Sequence, residues 1–120
     1  MHALSCQRWS EEMAEQKTER QLDLDPGHLQ IVRQILQHRL PQYEVWAFGS
    51  RAKGTAKPYS DLDLAVITSQ PLDLSALAAL SDDFSDSELP FKVDVVDWAT
   101  TSEAFRAIIA RDKVVVKGPA

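Results

Sequence analysis

The stretch FGSRAKGTAKPYSDLDLAV, from Phe48 to Val66, decides how the rest of this 120-residue chain is interpreted. A Gly-Ser pair follows one hydrophobic run, and two aspartates open the next run after ten intervening residues. A glycine directly after a strand lets a ligand approach the backbone, and the N–H groups of a following turn suit an anion. Two aspartates at i and i+2 of a strand project from the same face and suit a divalent cation. The stretch therefore predicts a phosphate site beside a metal site.

One amphipathic helix is predicted before this stretch. Asp25 is expected to accept a free backbone N–H, and Pro26 suits the first helical position. The apolar residues that follow recur every three or four positions, and they are Leu29, Val32, Ile35, Leu36 and Leu40. Pro41 predicts the end of this helix. Residues 1–24 are mostly polar without an apolar stripe, so we expect a flexible N-terminal arm before a domain at residues 25–118.

Two strands are predicted to flank the Gly-Ser pair and the aspartates. Tyr43–Phe48 is short, aromatic and β-branched, and its apolar residues fall on both faces, which indicates a central strand. Ser50–Lys53 resembles one helical turn halted by Gly54. Asp61–Thr68 is predicted as the second strand, with its two acidic side chains on one face.

The remaining elements are predicted after residue 70. A second helix is expected to bury four residues, Leu74, Leu77, Ala78 and Phe84. Thr100 and Glu103 have the spacing of a capping box, which predicts the start of a last helix. Two more strands are predicted at Phe91–Trp98 and Val114–Val116. This order of helices and strands predicts a small α/β (α+β) domain with one sheet.

A third carboxylate is predicted to join the two aspartates. Asp94 lies within an otherwise apolar strand, where an unpaired buried charge is costly, so a cation or hydrogen-bond partner is expected. Asp97 is the alternative, but its position at the strand end suits an exposed or capping role better. Three carboxylates can hold two divalent cations for in-line phosphoryl or nucleotidyl transfer. Asp61, Asp63 and Asp94 are therefore the predicted catalytic and metal-binding residues.

The predicted nucleotide-binding residues surround the Gly-Ser pair. Gly49 supplies close backbone approach and Ser50 adds a hydroxyl donor. Arg51 and Lys53 lie within reach as cationic helpers. Alone, such a turn is common and an isolated Asp-x-Asp often only solvates a strand end. The prediction depends on the combination of the motifs.

This combination resembles the signature of the DNA polymerase β-like nucleotidyltransferases, a Gly-Ser pair, ten residues, Asp-x-Asp and a later aspartate. The matching residues are Gly49, Ser50, Asp61, Asp63 and Asp94. The surrounding sequence looks most like the minimal nucleotidyltransferase (MNT) group. The resemblance implies a small mixed sheet with helices packed against it, ATP as substrate and two Mg²⁺ ions. It also implies that Gly49 and Ser50 grip the β- and γ-phosphates, and that Asp94 helps deprotonate the acceptor.

The resemblance also implies an acceptor on another molecule, because little chain follows Val116. Small MNT proteins resemble antitoxins whose partner is a HEPN-domain (HepT-like) RNase toxin. We therefore expect a protein adenylyltransferase that transfers AMP from ATP to a tyrosine of that toxin. Two alternatives stay open: a non-catalytic antitoxin that occludes its partner, and a small-molecule (aminoglycoside-like) nucleotidyltransferase with a separate helical subunit.

Composition limits the cellular compartments and the classes of partner expected for this protein. A net charge of −5 argues against direct binding of nucleic acid, which favours a basic surface. No apolar run approaches the roughly 20 residues that a membrane span needs. The single Cys6 cannot form an internal disulfide, which fits a reducing compartment. A cytoplasmic protein without membrane partners is expected.

Overall fold

The computed structural model describes residues 22–119 of the chain. Most of the predicted N-terminal arm lies outside the described residues. The four helices of the described part are α1 (Pro26–Arg39), α2 (Ser50–Lys53), α3 (Leu74–Ser85) and α4 (Glu103–Asp112). The four strands are β1 (Glu44–Phe48), β2 (Leu62–Ile67), β3 (Val93–Asp97) and β4 (Val114–Lys117), and a 3₁₀ turn spans Trp98–Thr100.

The strands form one sheet in the order β3-β2-β1-β4. β1 pairs antiparallel with both β2 and β4, whereas β2 and β3 run parallel. The predicted small mixed sheet is therefore confirmed. β1 and β2 occupy the centre, so the residues just after β1 and just before β2 meet at the same end of the sheet.

Apolar residues cover both faces of this sheet. On one face, α1 and α3 enclose a core that includes Leu36, Leu64 and Leu80, each fully buried. On the other face, Phe48 and Ala65 pack with Ile109 of α4. The aspartate face of β2 is this second face, since side chains alternate along a strand. The prediction that β1 is covered on both sides is confirmed.

The start of α1 follows the predicted chemistry. The side chain of Asp25 accepts a hydrogen bond of 2.8 Å from the N–H of Gly27, and Pro26 occupies the first helical position. Leu22 and Leu24, which the sequence placed in the arm, pack against the core on the α1 side of the sheet. The structured part therefore includes residues before Asp25.

Two details of the helices differ from prediction. Leu74 and Ala78 are exposed, Leu74 to 81%, whereas Leu80 and Phe84 are buried. The rotation of α3 follows the sheet surface, which the helix sequence does not specify. The cap of α4 is also shifted, because the chain first forms the 3₁₀ turn and Ser102, rather than Thr100, accepts from the backbone of α4.

Helices in residues 22–119 are all too short or too polar to cross a membrane.

The rotation of α3 predicts unequal effects for two leucines of the same helix. Leu80→Ala should lower the free energy of unfolding by about 2–5 kcal/mol, because it opens a cavity under a fully buried side chain. The matched control Leu74→Ala should change it by less than about 0.5 kcal/mol. Chemical denaturation monitored by circular dichroism measures both values. Equal losses in the two variants would contradict the observed orientation of α3.

Candidate active site

Gly49 joins β1 to α2 in a conformation that favours glycine. Its φ of 80° and ψ of −158° lie in a region that side chains strongly disfavour. The carbonyl of Gly49 accepts from the N–H groups of Ala52 and Lys53, at 3.1 and 3.0 Å, which fixes the following turn. Gly54 ends α2, as the sequence predicts, and the structure shows it in the left-handed conformation.

Gly49 also lies directly against Asp63. A Cβ placed on Gly49 would overlap the Oδ2 atom of the Asp63 carboxylate. The antiparallel pairing of β1 with β2 causes this approach, because it sets Phe48 opposite Asp63. The predicted phosphate turn and the predicted metal site are thus parts of one site.

The parallel pairing of β2 with β3 adds the third carboxylate. Asp63 and Asp94 are register partners across the two strands, and Asp61 immediately precedes β2. Partial burial, then the charges of Asp94 and Asp61, raise the pKa of the Asp63 carboxyl above its ordinary value. The surroundings of Asp63 therefore disfavour its negative charge, and a bound cation would stabilise the charged carboxylate.

The carboxylates fit a metal ion whose ligands come partly from the protein and partly from a substrate. Within the described part of the chain, no three His, Cys, Asp or Glu side chains form a ready-made metal cage. Asp94 is instead drawn toward Lys92, with Oδ1 at 3.4 Å from Nζ. Mg²⁺ typically takes only one or two protein carboxylates and completes its shell with phosphates and water. The raised pKa of Asp63 and the cluster of acids around it fit such an ion.

Lys92 is a residue that the sequence prediction omitted. Its i, i+2 spacing from Asp94 was a signal that both side chains lie on one side of the strand. Lys92 is 72% exposed, so the pair is solvated and the ammonium group is easily displaced.

Asp97 is held entirely by the protein's own backbone and hydroxyl groups. Its carboxylate accepts from the Thr68 hydroxyl and from the N–H groups of Leu72 and Ala99. The capping role predicted for Asp97 is confirmed, but the residue is buried rather than exposed. This arrangement favours Asp94 over Asp97 as the third carboxylate of the site.

The two predicted cationic helpers occupy different surroundings. Lys53 is about half exposed and its Nζ lies 3.7 Å from Oδ2 of Asp112, so it is drawn toward the end of α4. Arg51 is only 5% exposed, and its guanidinium donates to three backbone carbonyls. The structure therefore does not favour the predicted contact between Arg51 and a nucleotide.

The contact between Gly49 and Asp63 makes a prediction with an internal control. Gly54→Ala should lower the free energy of unfolding by about 1–2 kcal/mol, the cost of a side chain at positive φ, since nothing lies within 4 Å of its added Cβ. Gly49→Ala should cost at least about 1 kcal/mol more, because its φ and ψ lie in a region that only glycine readily occupies and because its Cβ also displaces the Asp63 carboxylate. Urea denaturation compares the variants. Equal losses would show that the two groups are not in contact.

The raised pKa of Asp63 predicts the effect of removing its charge. A carboxyl whose pKa is higher in the folded state than in the unfolded state destabilises the fold above the folded pKa. That destabilisation is lost as the pH falls below the unfolded pKa. Asp63→Asn should therefore raise the thermal midpoint of the metal-free protein at pH 7, with little change at pH 3. Mg²⁺ should stabilise the wild type but not this variant.

The control for this measurement is Asp86→Asn, which alters an exposed carboxylate at the end of α3. It should leave both the midpoint and the Mg²⁺ response unchanged. A lower midpoint for Asp63→Asn at pH 7 would contradict the electrostatic account.

Comparison with known proteins identifies the family of the chain. Residues 29–118 match the family described as polymerase beta, nucleotidyltransferase. A Haemophilus influenzae protein described as a "probable protein adenylyltransferase MntA" is 57% identical over 97 residues, which cover 81% of this chain and 85% of that protein.

Solved structures show the same fold. A crystal structure of a toxin–antitoxin with AMP-PNP has a TM-score of 0.65 and 26% identity, covering 75% of this chain and 73% of that one. A mutant MntA–HpeT toxin–antitoxin complex has a TM-score of 0.63 and 26% identity, covering 79% and 73%. The family match spans all four strands, α2, α3 and α4 of the described part in full, and α1 from Leu29 onward. The chain therefore belongs to the polymerase beta nucleotidyltransferase family.

Proposed function

We propose that this chain is the antitoxin of a toxin–antitoxin pair and works as a protein adenylyltransferase. Its acceptor is a tyrosine of a HEPN-domain RNase toxin, and its nucleotide substrate is ATP. The observation that carries the proposal is the contact of the Gly49 turn with Asp63, whose strand partner is Asp94. The similarity to an MntA adenylyltransferase and to toxin–antitoxin structures, one with AMP-PNP, supports it.

The proposed reaction exchanges one phosphoester link for another. The tyrosine hydroxyl oxygen attacks the α-phosphorus of ATP, and the bond from that phosphorus to the bridging oxygen of pyrophosphate breaks. The hydroxyl proton passes to a carboxylate, for which Asp94 is the proposed acceptor. The products are tyrosine-linked AMP and pyrophosphate, so no further reactant is needed.

The residues of the site divide this work. Gly49 and Ser50 bind the β- and γ-phosphates, because the turn presents backbone N–H groups and a hydroxyl. Asp61, Asp63 and Asp94 would hold two Mg²⁺ ions. These ions, when bound, neutralise the triphosphate and stabilise the departing pyrophosphate. Lys53 remains a proposed contact for the nucleotide.

The direct test mixes the purified protein with ATP, Mg²⁺ and a purified HEPN-domain protein, the proposed partner. Intact-mass spectrometry should show the partner gaining one or more AMP groups. Asp61→Asn combined with Asp63→Asn should slow this transfer by at least about a hundredfold, because both metal-binding groups lose their charge. The exposed Asp86→Asn is the matched control and should leave the rate unchanged.

The same assay separates catalysis from occlusion. An unchanged partner mass with the wild-type protein would contradict the proposed transfer. If the double variant still silenced the RNase activity of the partner, neutralisation would occur by occlusion. Transfer of labelled AMP to an aminoglycoside, and not to the protein partner, would identify a small-molecule enzyme.

A further inference from the structure

The side chain of Arg51 contacts three separate segments around the candidate site, two through hydrogen bonds and one through an aromatic ring. Its Nε donates to the carbonyl of Ser60 at 3.0 Å, and one terminal nitrogen donates to Pro58 at 3.0 Å. The other terminal nitrogen donates to the carbonyl of Asp23 at 2.9 Å. The guanidinium thus binds the loop before Asp61 and the segment before α1 at the same time.

Two further contacts complete this connection. The N–H of Asp23 donates back to the Arg51 carbonyl at 2.7 Å, so the two residues exchange hydrogen bonds. The guanidinium carbon lies 4.3 Å from the centre of the Phe91 ring, just before β3. From the neighbouring residue, the Lys92 carbonyl accepts from Leu62 at 2.9 Å, which links β3 to the start of β2.

We propose that Arg51 is a positioning residue for the nucleotidyl-transfer site, acting through the segments that carry the site residues. It directly follows the Gly49-Ser50 turn in the chain. Its contact with Ser60 fixes the residue before Asp61, and its contact with Phe91 lies three residues before Asp94. The inference rests on the proposed function for the reaction at the site, whereas the positioning of the segments follows from the contacts of Arg51 alone.

The chemistry of these contacts requires arginine. A planar guanidinium has five N–H donors in a fixed fork and a flat face, so it reaches separate carbonyls while stacking on a ring. The single ammonium of lysine cannot reach all three carbonyls and the ring together. An arginine buried to this extent also needs all its compensating partners, because an unpaired buried charge is costly.

The test compares Arg51→Lys and Arg51→Met with Arg39→Lys and Arg39→Met. Arg39 is a matched control, because its guanidinium pairs with Asp83 on the surface and contacts no part of the site. With the HEPN partner as acceptor, both Arg51 variants should lower kcat by about 10–100-fold. They should raise the Mg²⁺ concentration for half-maximal rate, and KM for ATP should change less than about threefold. The Arg39 variants should behave like the wild type.

A different pattern would overturn the inference. If Arg51 contacts the triphosphate directly, KM for ATP should rise and lysine should restore activity. If it contributes only to stability, kcat should be unchanged well below the unfolding temperature. Phe91→Leu keeps the three carbonyl contacts and should give a smaller fall in kcat, which preserves the test if Arg51→Met does not fold.

An activity-independent readout separates this inference from the proposed function. Amide hydrogen exchange of Ser60 and Leu62 in the nucleotide-free protein should quicken at least about tenfold in Arg51→Lys, since both amides bond within the segments that Arg51 ties. At a saturating AMP-PNP concentration, the Mg²⁺ concentration that half-saturates the protein should rise about tenfold in the same variant, as measured by calorimetry. Both changes should appear even if the wild type transfers no AMP to the HEPN protein. Unchanged exchange and unchanged binding would refute the positioning role.

Discussion

The backbone of Gly49 lies against the carboxylate of Asp63, and this approach constrains the whole site. It requires a residue without a Cβ at the end of β1 and an antiparallel neighbour in fixed register. A shift of one residue in that pairing would move Asp63 to the opposite face of the sheet. The central position of β1, with strands on both sides and helices over both faces, secures the register.

The same constraint explains why the site holds more negative than positive charge. Register brings Asp63 and Asp94 together, with Asp61 beside them, and the partial burial of Asp63, followed by the charges of these two neighbours, raises the pKa of its carboxyl. Only the exposed Lys92 offers Asp94 a nearby positive partner among the described ion pairs. A solvated lysine compensates little. A divalent cation would balance the charge of the carboxylates, and a triphosphate would accept from the N–H groups of the Gly49 turn. The two ligands also attract each other, because their charges are opposite.

Local sequence signals predicted the elements of this site well, because each element has a local cause. The strand before Gly49, the turn halted by Gly54 and the third-strand position of Asp94 all follow from spacing and backbone chemistry. Features set by tertiary packing were not predictable in this way. The sequence favoured Leu74 for the core, although the sheet surface selects another face of α3. It also read Arg51 as a cation near a phosphate turn, because residue spacing does not reveal that the guanidinium binds carbonyls of the 58–60 loop and of Asp23.

Paramagnetic relaxation of backbone amides, with Mn²⁺ replacing Mg²⁺ in the presence of AMP-PNP, measures directly whether the phosphate turn and the carboxylates form one site. Broadening should be strongest at Gly49, Asp61, Asp63 and Asp94, the residues that β1, β2 and β3 bring to one end of the sheet. Amides near Leu74, on the far side of α3, should remain sharp. Broadening centred away from the Gly49 turn, or spread evenly over the protein, would contradict a single joined phosphate and metal site.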